Sequence, residues 1–304
     1  GGSLVLAALV MLSLARGLSS IATKDVLGKT IAKRRRGTLM GWSGSVAGGA
    51  TLVAGGVLMW FGDRPGNLAL AILLGVAAAG WLLNALCAAR IKEVPGSIEG
   101  GENAWDSIKL GLSLLREDRT FLHFNVARAL LLSSALALPY LALLGQQQSG
   151  TELGGLGILV VVSGLAAMVA SPIWGKRADQ SSRRVMRDAA VGTVLCCLLG
   201  AALAWLPGDW TQSVLPYAAI YALLVIVHHG VRLGRKTYLV DIASQDNRAL
   251  YVALSNTLTG VLMLVVGGII GALAQWLGSA MLLVVLALTA VGAMFSAQRL
   301  PEAE

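Results

Sequence analysis

The stretch Gly175-Lys176-Arg177-Ala178-Asp179-Gln180-Ser181-Ser182-Arg183-Arg184 joins two long apolar runs, 154–174 and 188–206. Each run is near the ~20 residues that a helix needs to cross the hydrocarbon core of a bilayer. Two such helices joined by so short a basic connection predict a transmembrane hairpin. Lys and Arg are retained on the cytoplasmic side, which puts the turn in the cytoplasm.

Working outward, the composition carries the same message. Charged residues make up 13% of the 304-residue chain, about half of the ~25% typical of soluble domains. The fold class is an all-α polytopic membrane protein. A net charge of +8 would suggest nucleic acid in a soluble protein. Here, basic loops facing anionic headgroups account for it, and no nucleic-acid partner is expected. Cys87, Cys196 and Cys197 lie inside apolar runs without metal-ligand spacing and read as packed small side chains.

Nine spans are predicted, at roughly 3–23, 38–60, 67–89, 121–144, 154–174, 188–206, 214–235, 249–275 and 278–297. Basic residues crowd alternate connections: Lys33 to Arg36, Arg90 to Arg119, Lys176 to Arg187, and Arg232 to Arg248. The intervening connections hold only Arg64. With the basic loops inside, the C-terminus ends in the cytoplasm. The longest connection, 90–120, contains Trp105, Ile108, Leu112 and Leu115 at helical spacing. That pattern suits an amphipathic helix, lying either on the inner membrane surface or on the protein itself.

The chain also repeats. A shift of 212 residues carries Lys24 onto Lys236, Arg36 onto Arg248, Ser43 onto Ser255 and Gly48 onto Gly260. Spans one to three therefore copy spans seven to nine. Parallel repeats around a long linker imply two halves of one design. The second half has six spans. The first shows three, so three spans of on the order of 90–100 residues are expected to be lacking. The chain begins Gly1-Gly2-Ser3, without Met or the basic flank of a signal peptide, as though cut from something longer. The expected division is 1–90, a partial N-terminal bundle; 91–120, a cytoplasmic linker; and 121–304, a six-helix bundle.

The pattern Gly175-x-x-Ala178-Asp179-x-x-x-Arg183-Arg184 resembles the loop signature of the major facilitator superfamily, with Gln180 and Ser182 where Arg and Gly are usual. A second resemblance, to a signature of proton-coupled members, lies in Leu12-x-x-x-Arg16, Ser20, Ala22 and Arg36-Gly37-x-x-x-Gly41, with Ser19 and Ser20 replacing Gln and Gly. A third signature, that of antiporters, is half present: residues 43–56 hold its glycines but no proline. The resemblance implies the major facilitator fold. It also implies secondary active transport of a small solute by alternating access, proton coupling, and the plasma membrane as location. The protein is expected to act as a monomer without cofactor. In the family the loop aspartate clamps the two halves on the cytoplasmic side, which assigns Gly175, Asp179, Arg183, Arg184, Arg36 and Gly37 to a conformational gate. Arg183 or Arg36 is expected to assist Asp179.

Polar stripes mark the expected cavity. Ser13, Arg16, Ser20 and Lys24 fall on one face of span one. Tyr217, Tyr221, His228, Arg232 and Arg235 do so on span seven, and Asn125 and Arg128 on span four. The resemblance makes these spans cavity-lining, so Ser13, Arg16, Ser20, Asn125, Arg128, Tyr221 and His228 are the candidate solute contacts. Arg16 lies about 18 Å below the outer end of its helix, where an arginine faces either a cavity or a neighbouring helix. Arg128 could instead reach the interface, and Arg232 and Arg235 are expected at the cytoplasmic rim. His228 and His229 point about 100° apart, so only one can face the cavity. Arg and His without a carboxylate favour an anionic or zwitterionic solute. Two other classes compete: a non-transporting facilitator-like receptor or remnant, and an intramembrane haem protein or enzyme, for which no triad or metal set exists.

Overall fold

The computed structural model describes residues 2–60, 66–92, 104–149, 156–208, 213–244 and 248–303. All its regular structure is helical: α1 (Gly2–Thr30), α2 (Lys33–Trp60), α3 (Asn67–Ala88), α4 (Ala104–Glu117), α5 (Arg119–Leu130), α6 (Ser133–Ser149), α7 (Leu156–Trp205), α8 (Val214–Ile242) and α9 (Arg248–Gln298). Among the described residues, seven stretches are long and apolar enough to cross a membrane, with α5 and α6 forming one of them.

Two elements exceed a single crossing. At 50 residues for α7 and 51 for α9, each would extend about 75 Å if straight, against a core of ~30 Å. Both are interrupted. Helix α7 leaves helical geometry at Ser181 (φ −163°, ψ 104°), and Ser181 Oγ accepts the Arg184 backbone N–H at 3.1 Å, capping the outgoing helix. Helix α9 breaks at Gly278 (φ 71°), a backbone conformation that glycine adopts without a Cβ clash. The opening basic stretch is therefore not a loop. Residues 175–180 continue the incoming helix, and Ser181 alone turns the chain.

Several ends move from their expected places. Helix α1 runs to Thr30 rather than 23, α8 to Ile242 rather than 235, and α2 starts at Lys33 rather than 38. Span four is split at residues 131 and 132. There Ser134 Oγ donates to the Leu131 carbonyl at 2.9 Å, and Pro139 inside α6 removes a further N–H.

The packed core lies in α5–α9. On one side Phe121, Phe124, Met186, Tyr238 and Val252 are buried together, with the Phe124 and Tyr238 rings stacked at 5.4 Å. On the other, Leu141, Tyr217, Leu224, Leu283 and Leu286 form a second cluster. Leu114 and Leu115 of α4 pack on the first cluster, and Gly111 faces Leu254 of α9, so this amphipathic helix is seated on the protein. The side chains of Trp105 and Ile108 and residues 93–103 lie outside the described set.

Most of α3 and the first two turns of α1 are exposed, an apolar surface suited to lipid. Trp60, Trp205 and Trp276 are exposed at the helix ends away from the basic segments, where indoles favour a membrane interface.

The tightest seam joins α2 to α7. Gly37, Gly41, Gly48 and Gly55 line one face of α2. A Cβ on Gly37 would lie 2.5 Å from the Gly175 carbonyl oxygen, and one on Gly48 2.5 Å from the Met168 nitrogen. Only glycine lets the two backbones approach this closely.

Candidate functional site

Two features lie between helices α1 and α2 on one side and helices α5 to α9 on the other. The first is a contact at the basic face. Asp179 of α7 accepts hydrogen bonds from the backbone N–H of Gly37 at 2.6 Å and of Thr38 at 2.8 Å, and also from the Thr38 hydroxyl. Because α2 begins one turn before Gly37, the carboxylate meets the side of the first turn rather than its tip. Direct charge-assisted hydrogen bonds, more than the helix dipole, hold it there.

Neither arginine expected beside Asp179 touches it. Arg36 pairs with Asp241 of α8 at 2.9 Å and donates to the Gly28 and Ile31 carbonyls at 2.7 and 3.0 Å. Its repeat mate Arg248 approaches Asp25 of α1 at 3.8 Å. Each repeat thus sends one arginine to an aspartate of the other. Arg183 instead binds the C-terminal tail, donating to the Leu300 carbonyl at 3.0 Å and Glu302 at 2.7 Å. Arg184 is 3.7 Å from the same carboxylate. Ser181 donates to Glu302, Tyr238 to the Pro301 carbonyl, and Lys33 of α2 to the Ala303 carbonyl. The tail therefore straps the basic face across both repeats.

The second feature is a pair of adjacent hollows, taken together as the two lobes of one cavity because Arg232 and Lys236 line both. The smaller, about 120 Å³, is lined by Ser20 and Lys24 of α1, Arg128 of α5, Arg232, Arg235 and Lys236 of α8, and Asn256 of α9. The larger, about 420 Å³, shares Arg232 and Lys236 and extends past His229, Thr23, Ser43 and Ser171. Lys24 and Lys236, equivalent positions in the repeat, meet at one cavity, so the pseudo-two-fold relation passes through the site.

Arg128 is positioned by a polar network. Its Nη1 donates to Ser255 Oγ at 2.8 Å and its Nη2 to Asn256 Oδ1 at 3.0 Å. Ser255 donates to Asn125 Oδ1 at 2.7 Å, and Asn125 donates to the Phe121 carbonyl at 2.8 Å. Among the described residues neither lobe is lined by a carboxylate. Two like charges about 8 Å apart at an effective dielectric near 20 repel by about 2 kcal/mol, so five cations around one small space call for an anion.

The expected contacts divide. Ser20 and Arg128 line the cavity, and Asn125 supports Arg128 from behind. Arg16 is exposed and is not among the residues lining either lobe. Ser13 turns back to its own helix, donating to the Leu9 carbonyl at 2.8 Å. Tyr221 packs on the second apolar cluster. His228 pairs with Ser134 Oγ at 3.0 Å, and it is His229 that lines the larger lobe. Arg232 and Arg235, expected at the rim, line the site itself, as do Lys24, Lys236 and Asn256. The signal that points to the two lysines is their alignment in the repeat.

Residues 2–226 match the family model described as the Major Facilitator Superfamily. Among curated proteins nothing matches the chain.

Proposed function

The chain belongs to the major facilitator superfamily, whose members carry small solutes across membranes, and we propose that it moves an anionic solute by alternating access. The observation that carries this reading is the basic cavity, lined by both repeats and, among the described residues, by no carboxylate. An intramembrane Arg or Lys is costly unless it faces water, a partner or a ligand, and five together need a ligand of opposite sign.

On this reading α7 and α9 each count as two spans, which makes nine. Helices α1–α3 form the partial bundle of residues 1–90, 91–120 the linker, and 121–304 the six-span bundle. The basic face and the C-terminus lie in the cytoplasm, the membrane is the plasma membrane, and the carrier is a monomer. Asp179 on Gly37 and Thr38 closes the cytoplasmic side, so the structure is the cytoplasm-closed state. Proton coupling, implied by the α1 resemblance, would need a titratable group in the cavity, and His229 is placed there.

The test is solute flux into liposomes containing the purified full chain, using labelled anions, cations and neutral compounds. Anion uptake that Arg128→Gln abolishes is expected. Anion binding with no flux would support the receptor reading instead, and flux of cations alone would overturn both.

A further inference from the structure

The cavity holds more positive charge than one carboxylate can balance. Lys24 is only 7% exposed and, among the described residues, has no hydrogen-bond or ion-pair partner. Arg128 Nε and Arg235 Nη1 are buried without a partner. Arg232 and Lys236 line both lobes. The larger lobe is different in character. Beyond those two shared cations it offers hydroxyls from Thr23, Ser43, Thr51 and Ser171, the His229 ring, and small apolar walls.

Resting on the reading of this cavity as the solute site, we propose that the solute is an organic anion with a compact, multiply charged oxyanion head, of the phosphate-monoester type, and a neutral hydrogen-bonding body. The head fits the small lobe. A phosphoryl group carries close to two negative charges at neutral pH and three acceptor oxygens, enough to satisfy several donors converging from different helices. Guanidinium edges suit such oxygens because their donors lie in a fixed fork. The two lysines add one point charge from each repeat. A monocarboxylate would leave most of these cations unbalanced. A zwitterion would bring an ammonium into a lining that has no carboxylate to receive it. The body lies in the larger lobe, whose ~420 Å³ is within the roughly 300–1,000 Å³ range of small-molecule sites. Lys24 and Lys236 are then specificity-determining: each repeat contributes one, and the head is the counterion between them.

Thermal unfolding of the purified full chain at constant ionic strength, with ligands that share one body, tests this directly. Glucose 6-phosphate, glucuronate, glucosamine and glucose differ in charge on a common ring, and inorganic phosphate supplies the head alone. Glucose 6-phosphate is expected to stabilise the protein with an affinity at least about tenfold above that of glucuronate, the loss of one or more charge-assisted hydrogen bonds. Inorganic phosphate should bind more weakly than the sugar phosphate. Lys24→Gln and Lys236→Gln should each weaken glucose 6-phosphate by about tenfold or more while eluting as folded protein. Lys33→Gln, at the basic face, should leave its binding unchanged.

Equal binding of glucuronate, preference for glucosamine, or unaltered binding in both lysine variants would overturn the proposal. Inorganic phosphate binding as tightly as the sugar phosphate would remove the body from it. The transport reading fails separately: phosphate-selective binding without flux in liposomes would leave the head assignment standing and end the carrier. Flux of another solute without phosphate binding would do the reverse.

Discussion

Asp179 and Asp241 are both carboxylates at the basic face, yet they do different work. Asp179 holds two backbone N–H groups and a hydroxyl of α2. Asp241 holds Arg36, with both side chains nearly buried. Asp179→Asn keeps the shape but loses the charge. Hydrogen bonds to charged groups contribute about 1.5–3 kcal/mol, so loss of about 2 kcal/mol should shift the closed–open balance roughly 30-fold. Alkylation of a cysteine at position 171, where Ser171 is buried against Gly44 in the α2–α7 seam, should accelerate accordingly, and an unchanged rate would remove Asp179 from the closure. Asp241→Asn strands a buried guanidinium and should cost about 3 kcal/mol of stability in thermal unfolding. Arg177→Ala, which breaks an exposed pair with Asp188, should cost no more than about 1 kcal/mol. Equal losses from the two would contradict the role given to Arg36.

Within the elements, α2 is the one most constrained by its neighbour. Gly48 and Gly56 sit two turns apart on that helix, and their surroundings differ completely. A Cβ at Gly48 meets Met168, Gly164 and Ala167, whereas one at Gly56 meets nothing within 4 Å. Gly48→Leu should therefore wedge α2 from α7 and lower the unfolding midpoint by several degrees, while Gly56→Leu should leave it unchanged; equal effects would contradict the seam. The tail is a lighter fastening. Glu302 is 43% exposed in its pair with Arg183, and Glu302→Gln should change stability by less than about 1 kcal/mol while raising protease access to the tail. Protease access equal to wild type would argue that the strap does not depend on this ion pair.

Much of this level was legible in the sequence. The α2 glycines, the hairpin at Ser181 and the amphipathic α4 all leave periodic traces. Helix ends at the basic face were not legible, for a definite physical reason. Lys24 and Arg232 read as the points where a span leaves the membrane. Cations that line a cavity do not end a helix, so α1 and α8 each continue past them. That misplacement assigned Arg232 and Arg235 to the rim. The choice between His228 and His229 was equally hidden, since the contact of His228 with Ser134 of α6 is set by tertiary packing.

At the scale of the molecule, one axis organises everything. The repeat places Lys24 opposite Lys236 at the cavity, and it sends Arg36 to Asp241 and Arg248 to Asp25 at the basic face. If the Asp179 contact closes that face, closure and occupancy of the cavity are properties of one interface, that between α1–α2 and α5–α9. Alternating access follows if that interface opens. Arg34 of α2 and Gln180 of α7 border one surface pocket with Asp179, which makes them reporters of the opening. The most direct measurement is anion flux in liposomes by the full chain carrying cysteines at both positions, with Cys87, Cys196 and Cys197 replaced. Oxidation to the cross-linked form should stop flux, and reduction should restore it. Undiminished flux through fully cross-linked protein would contradict a carrier that works by separating α1–α2 from α5–α9.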